Sequence, residues 1–161
     1  MTQHVNITLE HVHSFAAAWY QALDFHAPTE EVLKMVADEN LQMIFPERTL
    51  HGINDFVIWY AGGTYSDGES TRGVINIFFD EKHSVIRLDS IIDEDTITVQ
   101  IVVAWQTSRF VPPAARSERI AADFTQEWTL RRSNKNHYGL VIESYNAVAV
   151  PPVYAPGFSR L

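Results

Sequence analysis

Residues 117–132 read SERIAADFTQEWTLRR. Ala122, Phe124, Gln126, Trp128 and Leu130 share one parity, and Asp123, Thr125, Glu127, Thr129 and Arg131 share the other. Successive side chains of a strand point to opposite faces, so this split predicts one long strand with a buried face and a wet face. It is the cleanest periodic signal in the chain.

The same alternation extends to either side. Over Thr96–Ser108, Ile97, Val99, Ile101, Val103 and Trp105 point one way, and Thr98, Gln100 and Gln106 point mostly the other. Val74–Phe79 and Ser84–Ile92 read as β-rich runs, and Tyr138–Val148 as the last strand. Asp93-Glu94-Asp95 and Ser133–Asn136 are turns, and Pro112-Pro113 requires a loop. The tail from Val150, with Pro151, Pro152 and Pro156, is expected to be irregular, because proline cannot donate to a ladder.

Upstream the period changes. Val12, Phe15, Trp19 and Leu23 mark one face of a helix over Thr8–Asp24. Pro28 breaks the chain. Thr29 is placed to cap a second helix, with Glu30 and Glu31 in its first turn and Leu33, Val36 and Ala37 as its apolar side. A short strand over Leu41–Phe45 ends at Pro46, and a third helix over Ile53–Ala61 stops at Gly62-Gly63. Thr64–Arg72 reads as a polar loop. Helices first and antiparallel strands afterwards is an α+β pattern: N-terminal helices packed on a strongly curved sheet. A helix carrying Trp19 against strands carrying Trp105, Phe124 and Trp128 packs bulky shapes and leaves a cleft at the open end.

Composition narrows the functional classes. The 161 residues make one domain by length, residues 1–161. Twenty acidic against 12 basic residues give a net charge of −8, and the basic residues are scattered, so nucleic acid is not an expected partner. No cysteine is present, which removes disulfides, thiolate metal sites and cysteine nucleophiles. No apolar run approaches the roughly 20 residues needed to span a bilayer, and the first ten residues show no signal-peptide pattern. No membrane partner and a cytoplasmic location are the resulting expectations.

The stretches FAAAWYQALDFHAPTEEVLKMVADENLQMIFP, HGINDFVIWY, HSVIRLDSIIDEDTITVQIVVAWQ and DFTQEWTLRRSNKNHYGLVIESYNAV together resemble the nuclear transport factor 2-like (cystatin-like cone) superfamily, including the SnoaL-like polyketide cyclases. The resemblance covers about Leu9–Val148. It implies a conical half-barrel with a pocket, and a homodimer. It does not imply one function. At the ketosteroid isomerase positions Phe45 replaces the general-base Asp, Trp19 the oxyanion-hole Tyr and Gln126 the oxyanion-hole Asp. Around Trp105 and Ser144 the Asp–Arg–Asp set of limonene epoxide hydrolases finds no match. His83, in EKHSVIRL, matches one scytalone dehydratase histidine and the strand-start histidine frequent in SnoaL-like proteins; the second scytalone position falls near Trp105.

His83 is therefore the candidate acid/base, since imidazole titrates near neutrality; otherwise it is a rim residue satisfied by solvent. Arg87-x-Asp89 reads as a surface or interface pair, or as an anchored carboxylate in a pocket. On the last strand Glu143 and Tyr145 form an acid–phenol pair if they point inward; if Ser144 and Asn146 do, the site is neutral. His51, before Gly52, reads as a capping or exposed residue, or as a ligand contact at a pocket mouth. His4 and His11-x-His13 do not make a metal set, because i and i+2 do not share a helix face. Neither metal nor cofactor is expected.

Three functions follow. The leading one is a pocket for a small hydrophobic or aromatic molecule, lined by Trp19, Phe45, Trp59, Trp105, Phe124, Gln126, Trp128 and Tyr145. The second is a SnoaL-like cyclase, dehydratase or isomerase using His83 with Gln126, Glu143 or Tyr145. The third is a dimeric association module without ligand, using the face of Thr98, Gln100, Asp123, Thr125 and Glu127.

Overall fold

Thr8 starts the first helix, α1 (Leu9–Asp24), with a reciprocal cap: its hydroxyl accepts from the His11 N–H, and its own N–H donates to His11 Nδ1 at 3.0 Å. His11 thus takes the place that Glu or Gln holds in a capping box. The computed structural model describes residues 6–161, and His4 lies outside the described residues. Val12, Phe15, Trp19 and Leu23 form the buried stripe of α1.

The second helix, α2 (Thr29–Leu33), is shorter than expected, and Pro28 rather than Thr29 is its N-cap. Val36 and Ala37 leave it because the chain there bridges to the last strand: Ile142 N–H donates to Met35 O and Ala37 N–H to Ile142 O. Two short strands follow, β1 (Gln42–Ile44) and β2 (Thr49–His51), and then α3 (Gly52–Ala61). The stretch expected as a loop contains a small hairpin, β3 (Gly63–Thr64) with β4 (Ser70–Thr71).

Of the run Val74–Phe79, Phe78 and Phe79 are extended, and Val74–Ile77 is not. Gly73, at φ 87°, reverses the chain against the backbone of Tyr60–Gly62, and a single helical turn, α4 (Val74–Ile77), follows. Arg72 clamps that turn by donating to Asn76 O and Phe110 O. Tertiary contacts here override the β preference of Val74, Ile75 and Ile77.

Four long strands complete the chain: β5 (Phe78–Ile92), β6 (Ile97–Arg109), β7 (Glu118–Arg132) and β8 (Leu140–Tyr154). The six-stranded sheet runs β2-β1-β8-β7-β6-β5, with only β1 and β8 parallel. The predicted inner parity holds on β6 and β7: Ile97, Val99, Ile101, Val103, Phe124, Trp128 and Leu130 are buried with α1 and α3. N-terminal helices on a mostly antiparallel curved sheet is the α+β architecture expected. No helix among the described residues is long and apolar enough to cross a membrane.

Irregularities in the ladder set which side chains face inward. Phe79 pairs with Ser108 and Lys82 with Gln106, so Asp80 and Glu81 stand against Thr107 alone. This bulge, with Asp80 at φ 51°, shifts the parity of β5. On β8, Thr129 pairs with Ser144 and Leu130 with Ile142, leaving Glu143 as an extra residue. Ile142 and Tyr145 are both buried as a result, and neither of the two expected parities describes the whole strand. The strand also continues to Tyr154, beyond the point where an irregular tail was expected. Pro151 and Pro152 both stand opposite Phe124, between the pairs Thr125–Val150 and Asp123–Val153, in a bulge where ladder donors are not required.

Candidate functional site

The inner face of the sheet and the helices leave a cleft with about 100 Å³ open to the centre of a water molecule. A single water needs roughly 10–15 Å³ by that measure, so the space suits a small ring system rather than a large polycycle. Phe45, Trp59, Trp105, Phe124 and Tyr145 wall it, together with Gln126. The polar groups are His83, Glu81 and Glu47.

Two expected wall residues do not reach the cleft. Trp19 and Trp128 are 0% and 1% exposed and lie behind Tyr145. Trp19 Nε1 donates to Tyr145 Oη at 3.4 Å, and Trp128 stacks on the Tyr145 ring at 5.1 Å. Both share the face that meets the cleft, but in a packed layer the nearest ring screens the one behind it. Glu143 is not in the site either: the bulge turns it to the outer side, where it takes a 2.8 Å hydrogen bond from Arg131 Nε. Arg87 and Asp89 form an exposed pair, and His51 is an exposed N-cap.

His83 is held by a residue that sequence reasoning missed. Asp24, the last residue of α1, accepts from the His83 backbone N–H at 3.0 Å and lies 2.6 Å from Nδ1. With Asp24 ionised, Nδ1 carries the proton and donates, which leaves Nε2 as the nitrogen available to a cleft ligand. The imidazole stacks between Tyr20 (centroids 4.8 Å apart) and Trp105 (6.0 Å), and its side chain is 10% exposed. A carboxylate at a helix C-terminus opposes the helix dipole. No basic residue occupies that last turn. This mismatch was the available sequence signal for Asp24.

Glu81 was also missed, because it falls between the two β-rich runs, where no parity assigns it a face. The bulge brings it inward, where its side chain is 8% exposed. Its oxygens accept from Trp105 Nε1 at 3.1 Å and meet His26 Nε2 at 3.1 Å. Burial pushes its pKa up to about 7, with His83 and the Trp105 N–H opposing and Asp24 adding to the rise. Glu47 stands at the exposed rim of the cleft, and partial desolvation there raises its pKa, against its own backbone N–H and the nearby Trp59 indole. Trp59 Nε1 nevertheless reaches no partner in hydrogen-bonding geometry, a rare state for a buried donor.

Gln126 faces the same cleft as His83 and is tied to it through Tyr20. Tyr20 Oη donates to Gln126 Oε1 at 2.8 Å, and Trp128 Nε1 donates to the same oxygen at 3.2 Å. With its oxygen occupied, Gln126 has its amide N–H groups left to donate, and Tyr145 is one neighbour they reach. Burial pushes Tyr145 up to about 12, so this phenol stays neutral. His11 serves as a cap and has no metal-binding neighbours; among the described residues no group of three or more His, Asp or Glu is arranged to hold a metal.

No family model matches the chain, and no curated protein matches it in sequence. Solved structures do match in shape. A provisionally assigned aromatic ring hydroxylase of Novosphingobium aromaticivorans superposes with a TM-score of 0.70 at 11% identity, covering 93% of this chain and 96% of that one. A provisionally assigned dehydratase of the NTF2-like family from Streptomyces avermitilis gives 0.62 at 13% identity, covering 86% and 93%. The CaMKII hub of S. rosetta gives 0.61 at 13% identity, covering 94% and 100%. Identities this low carry the fold and not the chemistry: the chain has the nuclear transport factor 2-like fold.

Proposed function

We propose that the cleft takes up a small, mainly apolar or aromatic molecule and that His83, oriented by Asp24, exchanges a proton with it. The observation that supports this is the double grip of one carboxylate on the backbone and ring of a single cleft histidine. A base oriented by a third group, inside a pocket walled by aromatic rings, is the usual arrangement of an acid–base site.

In this mechanism His83 Nε2 takes a proton from a carbon or hydroxyl of the ligand. Asp24 stabilises the imidazolium that forms, and the Gln126 amide donates to the oxygen on which charge develops. A positioned acid–base group of this kind is worth roughly 10²–10⁴ in rate. The dehydratase and hydroxylase assignments of two structural neighbours are compatible with such chemistry. The reaction class is a SnoaL-like cyclisation, dehydration or isomerisation. The hub-type neighbour supports, in addition, association of the chain with copies of itself through the polar outer sheet face.

Exchange of the acidic C–H protons of phenylacetone in deuterated water, followed by NMR, tests the proposal. The wild-type protein is expected to speed exchange and His83→Asn to abolish the effect. Equal exchange by the two proteins would overturn it.

A further inference from the structure

We propose that the ligand this cleft selects is an organic cation, an ammonium group carried on an apolar or aromatic frame. The assignment rests on the cleft being the ligand site, and adds the charge of what enters it.

The cleft wall contains two carboxyl side chains, Glu47 and Glu81, and no Lys or Arg. They come from opposite edges of the sheet, Glu47 from the β1–β2 turn and Glu81 from β5. Neither acid is neutralised by a fixed positive charge. The cation next to Glu47 in sequence, Arg48, is turned away: its Nη2 holds Asp67 at 2.7 Å and Glu69 at 2.8 Å, and its guanidinium lies 3.8 Å over the Tyr65 ring. Among the described residues Glu47 has no ion pair. Glu81 takes the Trp105 N–H and meets His26 at 3.1 Å, with His83 nearby, so its positive neighbours are titratable histidines rather than fixed cations.

Carboxylates in a cleft without Lys or Arg repel anions and are stabilised by a cation that displaces water beside them; Glu81 is the buried one, and Glu47 stands at the exposed rim. The remaining wall is aromatic. Phe45 and Trp59 stack at 4.4 Å, and Tyr145 stands 5.6 Å from Phe45, with Trp105 and Phe124 opposite. Ring faces attract desolvated ammonium groups, and carboxylates with aromatic walls are how such cations are held. A neutral ligand would leave Glu81 with only the titratable His26 and His83 to compensate it.

The cation requires ionised acids, so its affinity follows pH. The groups facing Glu81 are Asp24 and His26 from the end of α1, His83 on β5 and Tyr60 on α3; Tyr65 faces Glu47. Desolvation holds both glutamates above their ordinary range, so cation binding strengthens as pH rises through about 7.

The test compares benzyltrimethylammonium with neopentylbenzene, which has the same shape with carbon in place of the charged nitrogen. Both are titrated by NMR at about pH 8 and about pH 5.5, which straddle the Glu81 transition. The cation is expected to bind roughly ten-fold or more tightly at the higher pH, and to lose most of that advantage at the lower. Glu81→Gln and, separately, Glu47→Gln are expected to shrink the ratio between the two ligands. If neopentylbenzene binds as tightly as the cation, the charge selection is wrong and the apolar cleft stands. If neither ligand binds at either pH, the cleft is not a ligand site and both claims fall.

Discussion

Asp24 Oδ1 lies 2.6 Å from His83 Nδ1 while its Oδ2 accepts from the His83 backbone N–H at 3.0 Å, so the end of α1 and the start of β5 are joined by one carboxylate. This contact fixes the ring, its tautomer and the nitrogen left for chemistry. Asp24→Asn keeps the size but offers an N–H to Nδ1 and favours the other tautomer. Exchange of phenylacetone protons is expected to fall by roughly 10²–10⁴ while the melting temperature holds.

Glu81 gives the fold a pH dependence of its own. Its folded pKa of about 7 lies above the ordinary 4.5, so the native state holds the proton more tightly than the unfolded chain. Stability is therefore full below about pH 4.5 and declines as pH rises towards 7, by on the order of 2–3 kcal/mol for this group. Chemical denaturation of Glu81→Gln across that window is expected to give a flatter curve than the wild type. Parallel curves would show that Glu81 ionises without penalty.

Much of this was legible in residues 97–132, where strict alternation placed Phe124, Gln126 and Trp105 on the cleft side. Periodicity fails wherever a bulge intervenes. The extra residue at Asp80–Glu81 breaks the parity that would have placed Glu81 inward, and the extra residue at Glu143 sends that candidate acid outward. Asp24 was missed for a different reason. Its partner is 59 residues away, and only its poor fit to the helix dipole marked it locally. Trp19 and Trp128 shared the right face, but depth in a packed layer is not encoded in parity.

That distinction between wall and core is measurable. Trp19 is fully buried, and Trp19→Ala is expected to cost about 3–5 kcal/mol in urea denaturation. Trp105 is half-buried at the cleft, and Trp105→Ala is expected to cost less, about 1–2 kcal/mol, and to change ligand affinity more. Equal destabilisation by the two would place Trp105 in the core.

Gly73 holds the turn that separates α3 from β5. A Cβ there would lie 2.7 Å from Tyr60 O and 2.5 Å from Ala61 C, and would also press on Gly62 N, at a φ of 87°. Gly73→Ala is expected to lower stability by at least ~2 kcal/mol. Gly68→Ala serves as the control, because it shares a positive φ but meets no atom within 4 Å. Similar losses in both would assign the effect to backbone strain rather than to the close approach at Gly73.

The central claim is that Asp24 makes His83 a cleft-facing base, and nitrogen-15 NMR of the His83 ring tests it most directly. At a pH where the ring is neutral, the account predicts a protonated Nδ1 and a bare Nε2, with Nε2 shifting when a cleft ligand is added. A ring protonated at Nε2 with Nδ1 bare, or an Nε2 signal indifferent to ligand, would contradict it.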